Sequence, residues 1–212
     1  MCIGCTQNDL SSNLDNPSLH NNSSFPLGTA VRFKPFQKDA QLRRLQQHHF
    51  DSYTAGSDMK MNQVMPTEGR FDFSIVDSII AYAEEHNQRV FGHNLVWHSS
   101  TPEWVRQKAK QNPKWLLPFL KGYIQSYVGR YKGKVHGWDV VNEGLNTKGA
   151  GFRTDTIWYE TIGLEYIEKA FEYAHEADPD AILFYNDFNI ERDLEKFNTM
   201  IEMVQDFQNR GV

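Results

Sequence analysis

HGWDVVNE, residues 136–143, is the stretch on which the reading of this chain turns. Trp138, Val140 and Val141 form a short, nearly continuous apolar run, as in a strand buried on both faces. The run breaks off at Asn142 and Glu143, and a polar, glycine-containing loop extends from there to Gly151. A carboxylate at the C-terminal lip of a buried parallel strand is where a barrel enzyme carries its catalytic groups. A structural strand that ends by chance in two polar residues is the competing account, and the rest of the chain has to decide between them.

Working outward, AILFY (181–185) is a second buried-strand run, ending in Asn186 and Asp187. RVFGHNL (89–95) is a third, leading into VWHSSTPEW, and HFDSYT (49–54) and residues 27–31 supply two more. Between them, spacing predicts helices over 37–47, with Leu42 and Leu45 inward, and from Ser74, an N-cap, with Ile75, Ile79, Tyr82 and Ala83 on one face. Further helices are predicted over 115–131, with Pro118 in the first turn, and over 157–177. The last runs from Ile190 or Asp193 to Gln208. Residues 55–73 and 98–113 read as loops. Strand then helix, five times over, means an α/β protein with a parallel sheet. A doubly wound open sheet would also fit, but no glycine-rich phosphate loop comes after the first strand. A closed (β/α)8 TIM barrel takes about 250 residues, whereas this sequence has 212. The expectation is a barrel truncated after about the fifth βα unit, its first and fifth strands unpaired and prone to association.

The net charge of −5, with no basic stripe, argues against a nucleic-acid partner. No apolar run approaches the roughly 18 residues of a membrane span. The two cysteines, Cys2 and Cys5, precede the globular part, so they neither staple the fold nor make a thiol site in it. CIGC resembles the end of a bacterial lipoprotein signal, with Gly4 before Cys5, although the basic and apolar parts of a signal are missing. That leaves open a lipid anchor at Cys5 and a secreted or cell-surface location. Residues 1–24 read as a disordered tether and 25–212 as the partial barrel. No cofactor is expected. A metal site built from His93, His98, His136 and Glu143 lacks the HxH or HExxH spacing that would favour it.

Three motifs now stand in order at strand ends: GHNLVWHSSTPEW (92–104), HGWDVVNE and FYNDFNIE (184–191). Together they resemble the xylanases of glycoside hydrolase family ten, and MKMNQVMPTEGRFDF (59–73) resembles that family's loop after the second strand. The resemblance covers about 25–212. It implies a retaining barrel glycosidase acting inside β-1,4-xylan, with xylan or xylo-oligosaccharides as partners. It also implies that Glu143 is the acid/base and that Asn142 contacts the sugar 2-hydroxyl. His93 and Trp97 would hold and stack the glycone sugar, Lys60 would bind the next xylose, and Asn186 with Tyr185 would line the cleft. The chemistry of each residue type is compatible. An amide can donate to the 2-hydroxyl as the transition state forms, an indole offers a flat apolar face to a pyranose, and an ammonium has three protons for hydroxyls.

Two departures accompany the resemblance. Gly56 and Ser57 stand where the family has Glu-Asn for a distal sugar, with Asp58 as a partial substitute. A retaining glycosidase also needs a second carboxylate about 5–5.5 Å from the first. The family carries it at the end of a seventh strand, which this chain lacks, and neither Asp139 nor Asp187 is a convincing replacement. The chain by itself is therefore expected to be inactive. The alternatives are a carbohydrate-binding protein without turnover and a related β-1,4-glucanase.

Overall fold

A computed structural model describes residues 16–211. Its centre is one parallel sheet of five strands in the order β1-β2-β3-β4-β5. The strands are β1 (Gly28–Val31), β2 (Ser52–Ala55), β3 (Arg89–Trp97), β4 (Gly137–Asn142) and β5 (Ile182–Asn186). Around it lie α1 (Phe33–Lys38), α2 (Ala40–His49), α3 (Met61–Val64), α4 (Ser74–Glu85), α5 (Glu103–Gln111), α6 (Leu116–Arg130), α7 (Ile157–Ile162), α8 (Glu165–Ala177) and α9 (Leu194–Arg210). Every strand is parallel to its neighbour and reached through helix, so all five C-terminal ends form one rim. This is five units' worth of a (β/α)8 barrel wall. The expected strand–helix alternation and the parallel, barrel-type sheet of five units hold.

The core packs most closely around β4, the strand next to β5. All six of its residues are buried. Trp138 pairs in register with Gly92 of β3, and its ring meets Tyr127 of α6 edge-on at 5.0 Å. A Cβ on Gly92 would lie 2.2 Å from Trp138 Cε3, so only glycine lets the indole lie across the neighbouring strand.

Several element expectations need correction. The predicted helix 37–47 is two helices, because Asp39 caps the second by accepting from Gln41 N and Leu42 N at 3.0 Å. His49 therefore ends a helix, and the second strand begins later, at Ser52. Ser74 is the first helical residue rather than a cap; its N–H donates to Asp72. Residues 98–113, expected as a loop, contain α5 between two prolines, and Pro118 does fall in the first turn of α6. The predicted 157–177 helix breaks at Gly163, whose φ of +81° lies in the left-handed region. The β5 run, expected to be buried on both faces, alternates between exposed and half-buried, with Ile182 52% and Phe184 41% exposed. Its one strand neighbour among the described residues is β4.

At the N-terminal side, residues 16–24 include a 3-10 turn, His20–Asn22, and the Asn16 carbonyl lies 2.8 Å from His48 Nε2. Cys2 and Cys5, with the lipid-anchor reading, lie outside the described residues. Among those residues no helix is long and apolar enough to cross a membrane.

Candidate active site

The rim after β3, β4 and β5 gathers most of the residues named from sequence. Register places Trp97 beside Asn142 and Asn142 beside Asn186. The Asn186 side-chain amide donates to Asn142 Oδ1 at 2.7 Å. That bond fixes the Asn142 carboxamide and leaves its N–H groups as the donors it can offer.

Glu143 comes directly after, with φ +57°, a conformation that an L-residue adopts at some energetic cost. Its backbone is held from both sides. Glu143 N–H donates to Asn186 O at 2.9 Å, and its carbonyl accepts from Arg153 Nε at 3.2 Å. Arg153 N–H then donates to Gly144 O at 2.9 Å, which closes the loop back onto the rim.

Lys60 enters from the N-terminus of α3, with Nζ 4.4 Å from the Trp97 ring centroid, a cation–π distance. Burial lowers the pKa of its ammonium, and the negative charge of Glu143 opposes that shift. One level deeper, His93 Nδ1 lies 2.7 Å from Asp139 Oδ2. A proton on Nδ1, shared with that carboxylate, turns Nε2 into an acceptor. Asp139 thus orients an imidazole and does not stand at the lip.

Two positions differ from their sequence reading. Tyr185 pairs with Val141 after a register shift, so it turns to the helix side of the sheet. Its hydroxyl donates to Asp187 Oδ2 at 2.8 Å and lies 3.2 Å from where a Cβ on Gly144 would be, close to the Tyr166 hydroxyl. It backs the lip rather than lining the cleft. Asp58 accepts from Phe33 N–H at 2.7 Å, so one of its oxygens anchors backbone. The four-residue metal reading also dissolves. His136 precedes the first residue of β4, at the opposite end from Glu143, and its Nδ1 is 3.4 Å from Val90 N.

Sequence reading gives neither His98 nor Arg153 a part in the sugar site. Burial lowers the His98 pKa, as does the Arg153 charge, while Glu143 and Asp155 oppose the shift. His98 adjoins Trp97 in VWHSS, so adjacency to the motif is an available signal; nothing local singles out Arg153. The constellation thus presents a carboxyl, two amides, an ammonium over an indole and an oriented imidazole on one rim. That donor set suits a polyhydroxylated ligand with a carboxyl poised beside it.

The model for "Glycosyl hydrolase family 10" matches residues 18–212. The "Endo-1,4-beta-xylanase C" of Paenibacillus barcinonensis is 40% identical over 205 residues, covering 89% of this chain and 19% of that protein. The "Beta-1,4-xylanase" of Dictyoglomus thermophilum is 42% identical over 188 residues, covering 89% of this chain and 51% of that one. Among solved structures, a mutant of xylanase 10C from Cellvibrio japonicus in complex with xylopentaose superposes with a TM-score of 0.88 at 37% identity, covering 94% of this chain and 42% of that chain. This chain therefore spans about half or less of the length of each of these three relatives.

Proposed function

The chain belongs to glycosyl hydrolase family 10, and from that premise we propose that the complete protein is an endo-1,4-β-xylanase that cleaves xylan with retention. The observation that carries this is Glu143 at the rim, flanked by Asn142 and Asn186 and coupled in charge to a Lys60 seated on Trp97. Glu143 protonates the departing glycosidic oxygen and then draws the proton from the water that ends the cycle. Asn142 donates to the 2-hydroxyl of the sugar at the cleaved bond. Trp97 stacks that sugar, while Lys60 and His93 hydrogen-bond hydroxyls around it. The covalent intermediate needs a second carboxylate, which the resemblance assigns to a seventh strand. Turnover is accordingly proposed for the protein that carries that strand as well. We place its action on polymeric xylan outside the cell or at its surface, with acylation at Cys5 as the means of holding it there.

The test is Glu143→Gln in the complete protein, with xylan as substrate. A loss of at least about 100-fold in kcat is expected for a general acid/base. Unchanged turnover refutes the assignment. Oligosaccharide binding without reducing-sugar release by the parent protein would favour a carbohydrate-binding function.

A further inference from the structure

The loop that begins at Glu143 is tied at its back to the fifth βα unit. Asp187, just past β5, has a fully buried side chain, as has Lys196 in the first turn of α9. Asp187 Oδ1 accepts from Lys196 Nζ at 2.7 Å and from Phe188 N–H at 2.9 Å. Its Oδ2 accepts from Tyr185 Oη at 2.8 Å and from Leu145 N–H at 3.1 Å. Four bonds saturate a carboxylate. Lys196 Nζ also donates to Phe188 O at 2.9 Å and stands 3.9 Å from the Phe188 ring centroid. The same helix end makes two more ties to the loop: Asp193 accepts from Gly149 N–H at 2.8 Å and Thr199 from Gly151 N–H at 3.1 Å.

We propose that Asp187 and Lys196 form a neutral, saturated clamp that sets the position of Glu143 for proton transfer. They are positioning residues and touch no substrate. The clamp's tie to Leu145 lies two residues beyond Glu143, whose backbone is already in a sparsely populated conformation and needs support from the residues C-terminal to it. A buried ion pair contributes little net stability over an apolar pair of like size, so its use here is to select one geometry. Displacing an acid by about 1 Å is enough to lower a rate 100-fold.

The proposal rests on Glu143 being the acid/base, and leaving-group chemistry separates the two. In the complete protein, kcat/KM is measured on xylan and on 2,4-dinitrophenyl β-xylobioside, whose leaving group departs without a proton. The expectation for Asp187→Asn is a loss of about 30-fold or more on xylan, with the aryl glycoside within about threefold of the parent. Because either single variant can fail to fold, the apolar pair Asp187→Leu with Lys196→Met is made as well. It removes the charges and the Leu145 tie while refilling the space, and the same selective loss is expected. Parallel losses on both substrates, or a folded double variant with full xylan activity, overturn the clamp. A parent that cleaves neither substrate overturns the underlying xylanase reading, and the clamp with it.

Discussion

Two lysines at one rim are held by opposite means. Lys60 lies over the open face of Trp97, with burial drawing its pKa down and Glu143 opposing. Lys196 has no exposed side-chain surface, and its donors go to Asp187, a carbonyl and an aromatic face. The platform of Lys60, His93 and Trp97 takes its geometry from strand register and aromatic packing, so its polar groups remain available to a ligand. The clamp of Asp187 and Lys196 spends its polar groups internally. Substitution in the platform should therefore be felt as lost affinity, and substitution in the clamp as lost stability and misplaced chemistry.

The largest expected effect breaks the clamp. Lys196→Ala strands the Asp187 carboxylate in a sealed site, and removing one partner of a buried pair typically destabilises by about 3–5 kcal/mol. Denaturant unfolding of the complete protein reads this as a lower midpoint at unchanged slope. A shift below about 1 kcal/mol would mean that water reaches the pair and that the two lysines are alike after all. Next comes Gly92→Ala, in the platform's own strand. The new methyl would need the space of the Trp138 ring, with 2.2 Å available to Cε3, and overpacking of this kind costs about 1–3 kcal/mol. Because β3 also carries His93, oligosaccharide affinity should fall along with the midpoint, the one platform change expected to do both.

Legibility in the sequence divides along the same line. Glu143, Asn142, Asn186 and Trp97 sit where apolar runs stop, and a polar residue at such a stop is visible without coordinates. Tyr185 is misplaced because the resemblance takes it together with Asn186, whereas adjacent residues of a strand face opposite sides and its hydroxyl turns to Asp187 behind the lip. AILFY looks doubly buried because composition reports hydrophobicity and not how many neighbours a strand has. Lys196 carries no signal at all. A lysine in the first turn of an amphipathic helix reads as a solvated charge, and its burial arises from Asp187 on a different element. The family resemblance finds the groups that face outward to a ligand; the groups that face inward to hold them become visible only with the fold.

Trp97→Ala sharpens the contrast from the ligand side. Loss of the indole face should weaken xylo-oligosaccharide binding about tenfold, in keeping with the roughly 1.4 kcal/mol of a good aromatic contact. The thermal midpoint should move little, since Trp97 is half-buried at the rim. Calorimetric titration with xylotetraose measures the first, and a melting curve the second. A large fall in the midpoint with affinity preserved would make Trp97 a core residue and dissolve the platform.

The smallest expected effect lies where the two regions meet. His98 adjoins the platform, and its pKa is lowered by burial and by Arg153, a residue of the loop that the clamp holds. His136, at the far end of β4, is lowered by burial and by Arg89. Each imidazole binds fewer protons folded than unfolded, so the unfolded state gains protons first as the medium acidifies. Their contribution to stability is fully present above about pH 6.5, the unfolded value, and is lost as pH falls through the lower folded values. His98→Gln should flatten the dependence of the melting midpoint on pH below about 6.5, and His136→Gln should flatten it independently, because the two lie at opposite ends of the sheet. If the clamp holds the loop as proposed, Asp187→Leu with Lys196→Met lets Arg153 draw away from His98, raises that imidazole towards its ordinary value, and flattens the same segment of the profile. An unaltered slope in the double variant would mean that Arg153 is held by the rim itself, through its own bonds to Glu143 and Gly144, and that clamp and platform are mechanically separate.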